Sequence, residues 1–276
     1  MKKTLLSAFA ALSILGASAL TISPAVKLNT DGPAHNPTLS PDASSLLFSS
    51  DNNTGLKALN LTDNRIVVLD DAPGAGFNPV FTTDGKSVIY QRAFMMDGLL
   101  NREVRSINLV TGKTKQIARA SRNDLNLIEF TECKNYVVGS LEGITVSLNG
   151  KTEIIRPIAD AHNFQWASLS PDGNRILFSE PFKGIFICDL DGSNLVNVSK
   201  RGIFPAWAGE NLITFTDGHD DGYVILDSTL KVCDLTTGIT INLTGEDVMV
   251  GESTSAFDGT VVYSTLDGEI FMIKIK

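Results

Sequence analysis

Basic residues are scarce in this chain: 23 lysines and arginines stand against 31 aspartates and glutamates, a formal net charge of −8. Nucleic acid and anionic lipid are bound through basic patches that neutralise phosphate, so neither is an expected partner. Cysteine is scarcer still. Cys133, Cys188 and Cys233 are odd in number and have no CxxC spacing, which supplies no disulfide framework and predicts buried free thiols. After the first twenty residues no stretch approaches the roughly 18 consecutive apolar residues of a membrane span. No amphipathic helical repeat separates the β-type segments, which excludes a parallel α/β fold. A G-x-S-x-G nucleophile elbow is also missing, since Gly139-Ser140-Leu141-Glu142-Gly143 has its serine in the wrong place.

What is present is an export leader followed by a repeat. Residues 1–19 carry Lys2 and Lys3, a short apolar stretch and Ala17-Ser18-Ala19, the layout of a secretory signal peptide cleaved after Ala19. No cysteine follows that site, so a bacterial lipid anchor is not expected. The protein is expected to be exported, periplasmic or secreted, from a bacterium. With 43% apolar and 20% charged residues, positions 20–276 are read as one packed domain.

The clearest unit is Asn163 to Glu180, NFQWASLSPDGNRILFSE, in which two apolar runs flank a Ser-Pro-Asp-Gly turn. It reads as a β-hairpin. Copies of its turn occur at Ser40-Pro41-Asp42, Thr83-Asp84-Gly85, Glu132-Cys133-Lys134, Ala208-Gly209-Glu210 and Phe257-Asp258-Gly259. They are spaced about 43 residues apart, and six such units use almost everything after residue 19. Each hairpin is followed by a second strand pair, clearest in residues 185–199, 230–244 and 105–118. Four short strands per unit specify a six-bladed β-propeller of four-stranded blades, all-β. The last unit lacks a fourth strand. The N-terminal segment Pro24 to Asp31 resembles the fourth strand of the preceding unit and is expected to complete the last blade and close the ring.

The repeats SPDGNRILF, TDGKSVIY and SPDASSLLF, with D-L-x-x-G-like turns such as Asp234 to Gly238, resemble the WD40-like repeats of TolB-type six-bladed propellers. Related repeats occur in prolyl-oligopeptidase-type propellers and in oligogalacturonate lyases. The resemblance covers the propeller part only and implies a periplasmic scaffold near the outer membrane. It carries over no catalytic residue, because the shared Asp and Gly positions are turn geometry.

In a blade, the loops entering the first strand and those joining strands two and three share one face, whereas every Ser-Pro-Asp-Gly turn lies on the other. The longer loops of the first face are the place to look for function. All three histidines fall there: His35 and His162 at matching places in blades one and four, and His219 beside Asp220 in blade five. Opposite blades are too far apart for His35 and His162 to share one metal, and the acidic string Asp217 to Asp221 lacks calcium-loop spacing. No metal or cofactor is expected. Blade two has an unusual connection, QRAFMMDGLLNRE, that brings Arg92, Phe94, Met95 and Met96 to the same face. An exposed Met-rich cluster marks a contact surface; a buried one caps the channel. The sequence therefore reads as a monomeric, non-catalytic module for a protein or peptide partner of the cell envelope, or a glycan. A polysaccharide lyase or glycosidase using the same face is the alternative.

Overall fold

The computed structural model describes residues 20–51, 54–82, 84–120 and 135–276. The turn at Thr83, the turn around Cys133 and the leader therefore lie wholly or partly outside the described residues. All regular structure among the described residues is β. The chain opens with β1 (Val26–Lys27). Blade one holds β2 (Ala34–Leu39), β3 (Ser45–Ser50), β4 (Thr54–Asn60) and β5 (Ile66–Asp70); blade two holds β6 (Ala75–Phe81), β7 (Ser87–Met96), β8 (Leu99–Asn108) and β9 (Thr114–Ala120). The described part of blade three is β10 (Tyr136–Gly139), β11 (Ile144–Leu148) and β12 (Lys151–Ile155). Blade four holds β13 (Gln165–Leu169), β14 (Arg175–Glu180), β15 (Gly184–Asp189) and β16 (Val196–Ser199); blade five holds β17 (Ile203–Trp207), β18 (Leu212–Asp220), β19 (Ile225–Asp234) and β20 (Ile239–Asn242). Blade six holds β21 (Val250–Ser255), β22 (Thr260–Thr265) and β23 (Ile270–Lys274).

Each sheet is antiparallel and ordered as the chain runs, except the last, whose order is β1-β23-β22-β21. Val26 pairs with Met272 and Lys27 with Phe271. The seam extends beyond these pairs through Leu28 N–H to Ile270 C=O at 2.8 Å and Thr21 N–H to Lys276 C=O at 2.7 Å. The fold is thus a six-bladed propeller whose ring is closed by its N-terminal strand, as the sequence predicts.

The sharply written turns owe their shape to side chains. In blade four the Ser170 hydroxyl donates to Asp172 and accepts from Arg175 N–H at 2.9 Å; in blade two Thr82 bonds Asp84 at 2.7 Å and accepts from Ser87 N–H at 3.0 Å. Each such turn satisfies backbone donors locally.

The core lies between blades. Leu47, Leu56, Ala75, Val88, Tyr90 and Ile107 fill the seam of blades one and two, and Leu177, Ile185, Ile187, Trp207, Ile213 and Phe215 that of blades four and five. Cys188 and Cys233 are buried free thiols in two different seams. Burial, with Asp189 and Asp191 adding to it, pushes the Cys188 pKa up to about 12, so it stays an unreactive thiol.

Candidate functional site

Two features define the face opposite the Ser-Pro-Asp-Gly turns. The first corrects an expectation. The blade two connection is a regular hairpin arm rather than a loop, with β7 and β8 paired without a break from Ser87↔Asn108 to Met96↔Leu99. Its two-residue turn is Asp97-Gly98, with φ of 53° and 73°. Positive φ at both central residues is the hairpin geometry that suits strand twist, and glycine takes it without strain. Beyond Ala93, which bonds Gly74 at 2.7 Å, the arm leaves the body of the blade. Arg92 and Phe94 are half-buried at its root, while Met95, Met96, Leu99 and Leu100 are exposed, Met95 to 66%.

Blade five repeats the device, and there sequence reading missed it. His219 and Asp220 belong to β18, which pairs with β19 out to Asp220↔Ile225 instead of ending in a loop. The tip carries Tyr223, Val224, Ile225 and Leu226, with Tyr223 95% exposed. Its turn is held by Asp221, whose carboxylate accepts the Tyr223 and Val224 N–H groups at 2.9 Å. These bonds keep the Asp221 pKa below its ordinary value. The root is braced by charge: buried Asp217 meets Arg201 at 2.8 Å and Lys231 at 2.6 Å, and His219, which also touches Arg201, bonds Asp227 at 2.9 Å. Blades two and five are three steps apart in a ring of six, so the arms stand on opposite sides of the channel.

The second feature is the channel itself, a cavity of about 680 Å³ lined by the inner strands. Each inner strand presents one edge to this space, and β2, β6, β13, β17 and β21 all break register near their start. Pro37, Pro79 and Pro205 lie in these bulges, where a missing N–H costs nothing because that edge has no partner strand. Asn36, Trp166 and Phe204, at the first bulged position, have φ of 53°, 51° and 53°. Left-handed backbone suits asparagine; for tryptophan and phenylalanine it is strained by about 1–3 kcal/mol each. Both aromatic side chains line the cavity, with ring centroids 5.0 Å apart. Glu252, in the blade six bulge, lines the same space. Its Oε2 accepts the Asn36 N–H, and burial holds its pKa above the usual carboxylate value, offset in part by that bond and by His35.

The histidines do not converge. His35 pairs with Asp51 at 3.0 Å, and His162 packs edge-on against Phe182 at 6.4 Å. Fully buried Glu180 shapes that corner by accepting the His162 and Phe182 N–H groups at 3.2 and 2.9 Å. Among the described residues no group of three His, Cys, Asp or Glu side chains could hold a metal. Trp166, Phe204 and Glu252 were not singled out from sequence. The available signal, a residue–Pro step shared by Asn36-Pro37, Asn78-Pro79 and Phe204-Pro205, points to Phe204 alone of the three.

A closed ring of six β-blades with a strained channel mouth and two apolar arms belongs to the β-propeller class of folds. No family model matches the chain, and no curated protein matches it. Solved structures do. A protein assigned as TolB from Agrobacterium tumefaciens is similar at 17% identity with a TM-score of 0.58, covering 90% of this chain and 91% of that one. A Bacteroides thetaiotaomicron protein of unknown function aligns at 11% identity and a TM-score of 0.61, covering 94% and 76%. An oligogalacturonate lyase from Vibrio parahaemolyticus aligns at 12% identity and 0.51, covering 88% and 78%. At these identities the likeness is one of fold: the chain has the TolB-like six-bladed propeller fold.

Proposed function

We propose that this protein is an exported, non-catalytic propeller that seats a protein or peptide partner of the cell envelope on its arm-bearing face and channel mouth. The observation that carries the reading is the pair of apolar hairpin tips, Met95–Met96–Leu99–Leu100 and Tyr223 to Leu226, held out on opposite blades. Large exposed apolar surface on a soluble protein marks a contact site. Phe182, 82% exposed in blade four, and Leu141 in blade three extend the rim between them. Rigid blades hold these side chains in place, so little ordering entropy is lost on binding.

The glycosidase form of the enzyme reading fits less well. Glycoside hydrolysis commonly uses two carboxylates facing one bond. Among the described residues that line the channel, Glu252 is the one carboxylate. Export to the periplasm or beyond is supported by the leader-like residues 1–19 and is compatible with the TolB-like fold; no cofactor or metal enters the reading.

The test is capture from cell-envelope extract by the exported form, against a Met95→Ser/Leu99→Ser variant and a Tyr223→Ser/Leu226→Ser variant. Both variants are expected to lose at least tenfold in capture with melting temperature unchanged. Undiminished capture by both would sink the proposal.

A further inference from the structure

The channel mouth has a chemistry that the arms do not. Four consecutive bulges around the ring, in blades four, five, six and one, contribute Trp166, Phe204, Glu252 and Asn36 to one wall of the 680 Å³ cavity. Two aromatic side chains and one carboxylate therefore line a space with no basic side chain among its described lining residues. The electron-rich faces of aromatic rings attract organic cations, tryptophan most strongly. A lone carboxylate drawn partly out of water is stabilised by any cation that reaches it. A hard metal ion is a poor occupant, because calcium takes six to eight oxygen ligands and cannot use ring faces. An anionic ligand is excluded by the sign of the charge.

We propose that the channel mouth binds an aliphatic ammonium group against Glu252, Trp166 and Phe204, supplied by a lysine side chain on an extended segment of the partner. The inference rests on the partner reading for the source of the amine. The geometry suits an extended segment, since the cavity continues past the bulges to Phe257 at the opposite face. Asn36 N–H fixes one oxygen of Glu252, orienting the carboxylate before the ligand arrives. The strained backbone at Trp166 and Phe204 falls at the site itself, where such outliers cluster.

The chain has two tryptophans, and Trp207 is buried while Trp166 is 38% exposed, so ligand entry should perturb the fluorescence of Trp166. Three probes are titrated: a capped glycine-rich hexapeptide with one lysine, the same peptide with acetyl-lysine, and putrescine. The lysine peptide is expected to give a saturable change that is at least tenfold weaker for acetyl-lysine and for Glu252→Gln, and absent in Trp166→Phe. Glu252→Gln keeps the shape and the Asn36 bond, so a melting temperature no lower than that of wild type excludes a folding defect. Equal binding of the acetylated peptide, an undiminished response in Glu252→Gln, or no saturable change with either amine overturns the assignment. Putrescine binding without peptide binding overturns the partner-segment source. Failure here with arm-dependent capture intact leaves the partner reading standing, and the two outcomes are read separately.

Discussion

Glu252 is a carboxyl group whose ionisation is at odds with its surroundings. Burial raises its pKa, so between the unfolded value of 4.5 and the raised folded value the native state holds the proton more firmly. Stability then falls as pH rises through that window, the reverse of the usual carboxylate. Glu252→Gln is expected to narrow that loss, raising the melting temperature of the variant above wild type at pH 7 and not at pH 4; a variant less stable at both would show that the charge is wanted by the fold itself. The turn aspartates behave oppositely. The Ser40 hydroxyl lowers the pKa of Asp42, Thr82 that of Asp84 and Ser170 that of Asp172. Their contribution is present above the ordinary value of 3.8 and is lost as pH falls. These turn residues were legible in sequence because each hydrogen bond is made within five positions. Glu252 was not, because its importance comes from Asn36, 216 positions away.

At the level of elements, the two arms show what pattern reading can overlook. Met95-Met96-Asp97-Gly98-Leu99-Leu100 contains an Asp-Gly step between apolar pairs, the strongest short hairpin signal, yet its unbroken apolar character reads as a loop when set beside shorter connections. The blade five arm was hidden by its acid residues. Asp217, Asp220 and Asp221 look like a solvated turn, while all three do structural duty: Asp217 braces the root, and Asp220 and Asp221 accept the backbone N–H groups of the turn. Gly98 tests the arm alone. Nothing lies within 4 Å of a Cβ built there, so Gly98→Val adds only left-handed backbone strain, about 1–2 kcal/mol. Faster amide exchange is expected at Phe94 to Met96, with the melting temperature of the whole protein unchanged; a global loss would mean that the arm is integral to the core. The inner-strand bulges repeat around the ring, but their left-handed residues are asparagine, tryptophan and phenylalanine, so no single motif announces them.

The whole molecule was the most legible scale, since a repeat spacing and a missing last strand specify both the blade count and the closure. Blade seams could be anticipated only as apolar alternation; Gly139 shows the precision behind them. A Cβ there would lie 2.1 Å from the Phe164 carbonyl oxygen, where β10 passes the entry to β13. Closure carries its own prediction. Deleting residues 20–28 would strip β1 from β23 and leave an open edge with free N–H and C=O groups. The shortened protein is expected to melt earlier and to associate with concentration in sedimentation; a monomer with unchanged melting temperature would show that the seam contributes little.

The seam also orders events in time. Lys27 and Glu269 meet across 242 positions, so chain synthesis cannot deliver the first half of this contact together with the second. An emerging chain would hold five assembled blades and a gap until its last strands arrive, and during that interval the bare edge of blade six is open to the amino-terminal strand of a neighbouring copy. The latch that makes the finished ring self-contained is therefore also the place where two unfinished rings would exchange strands.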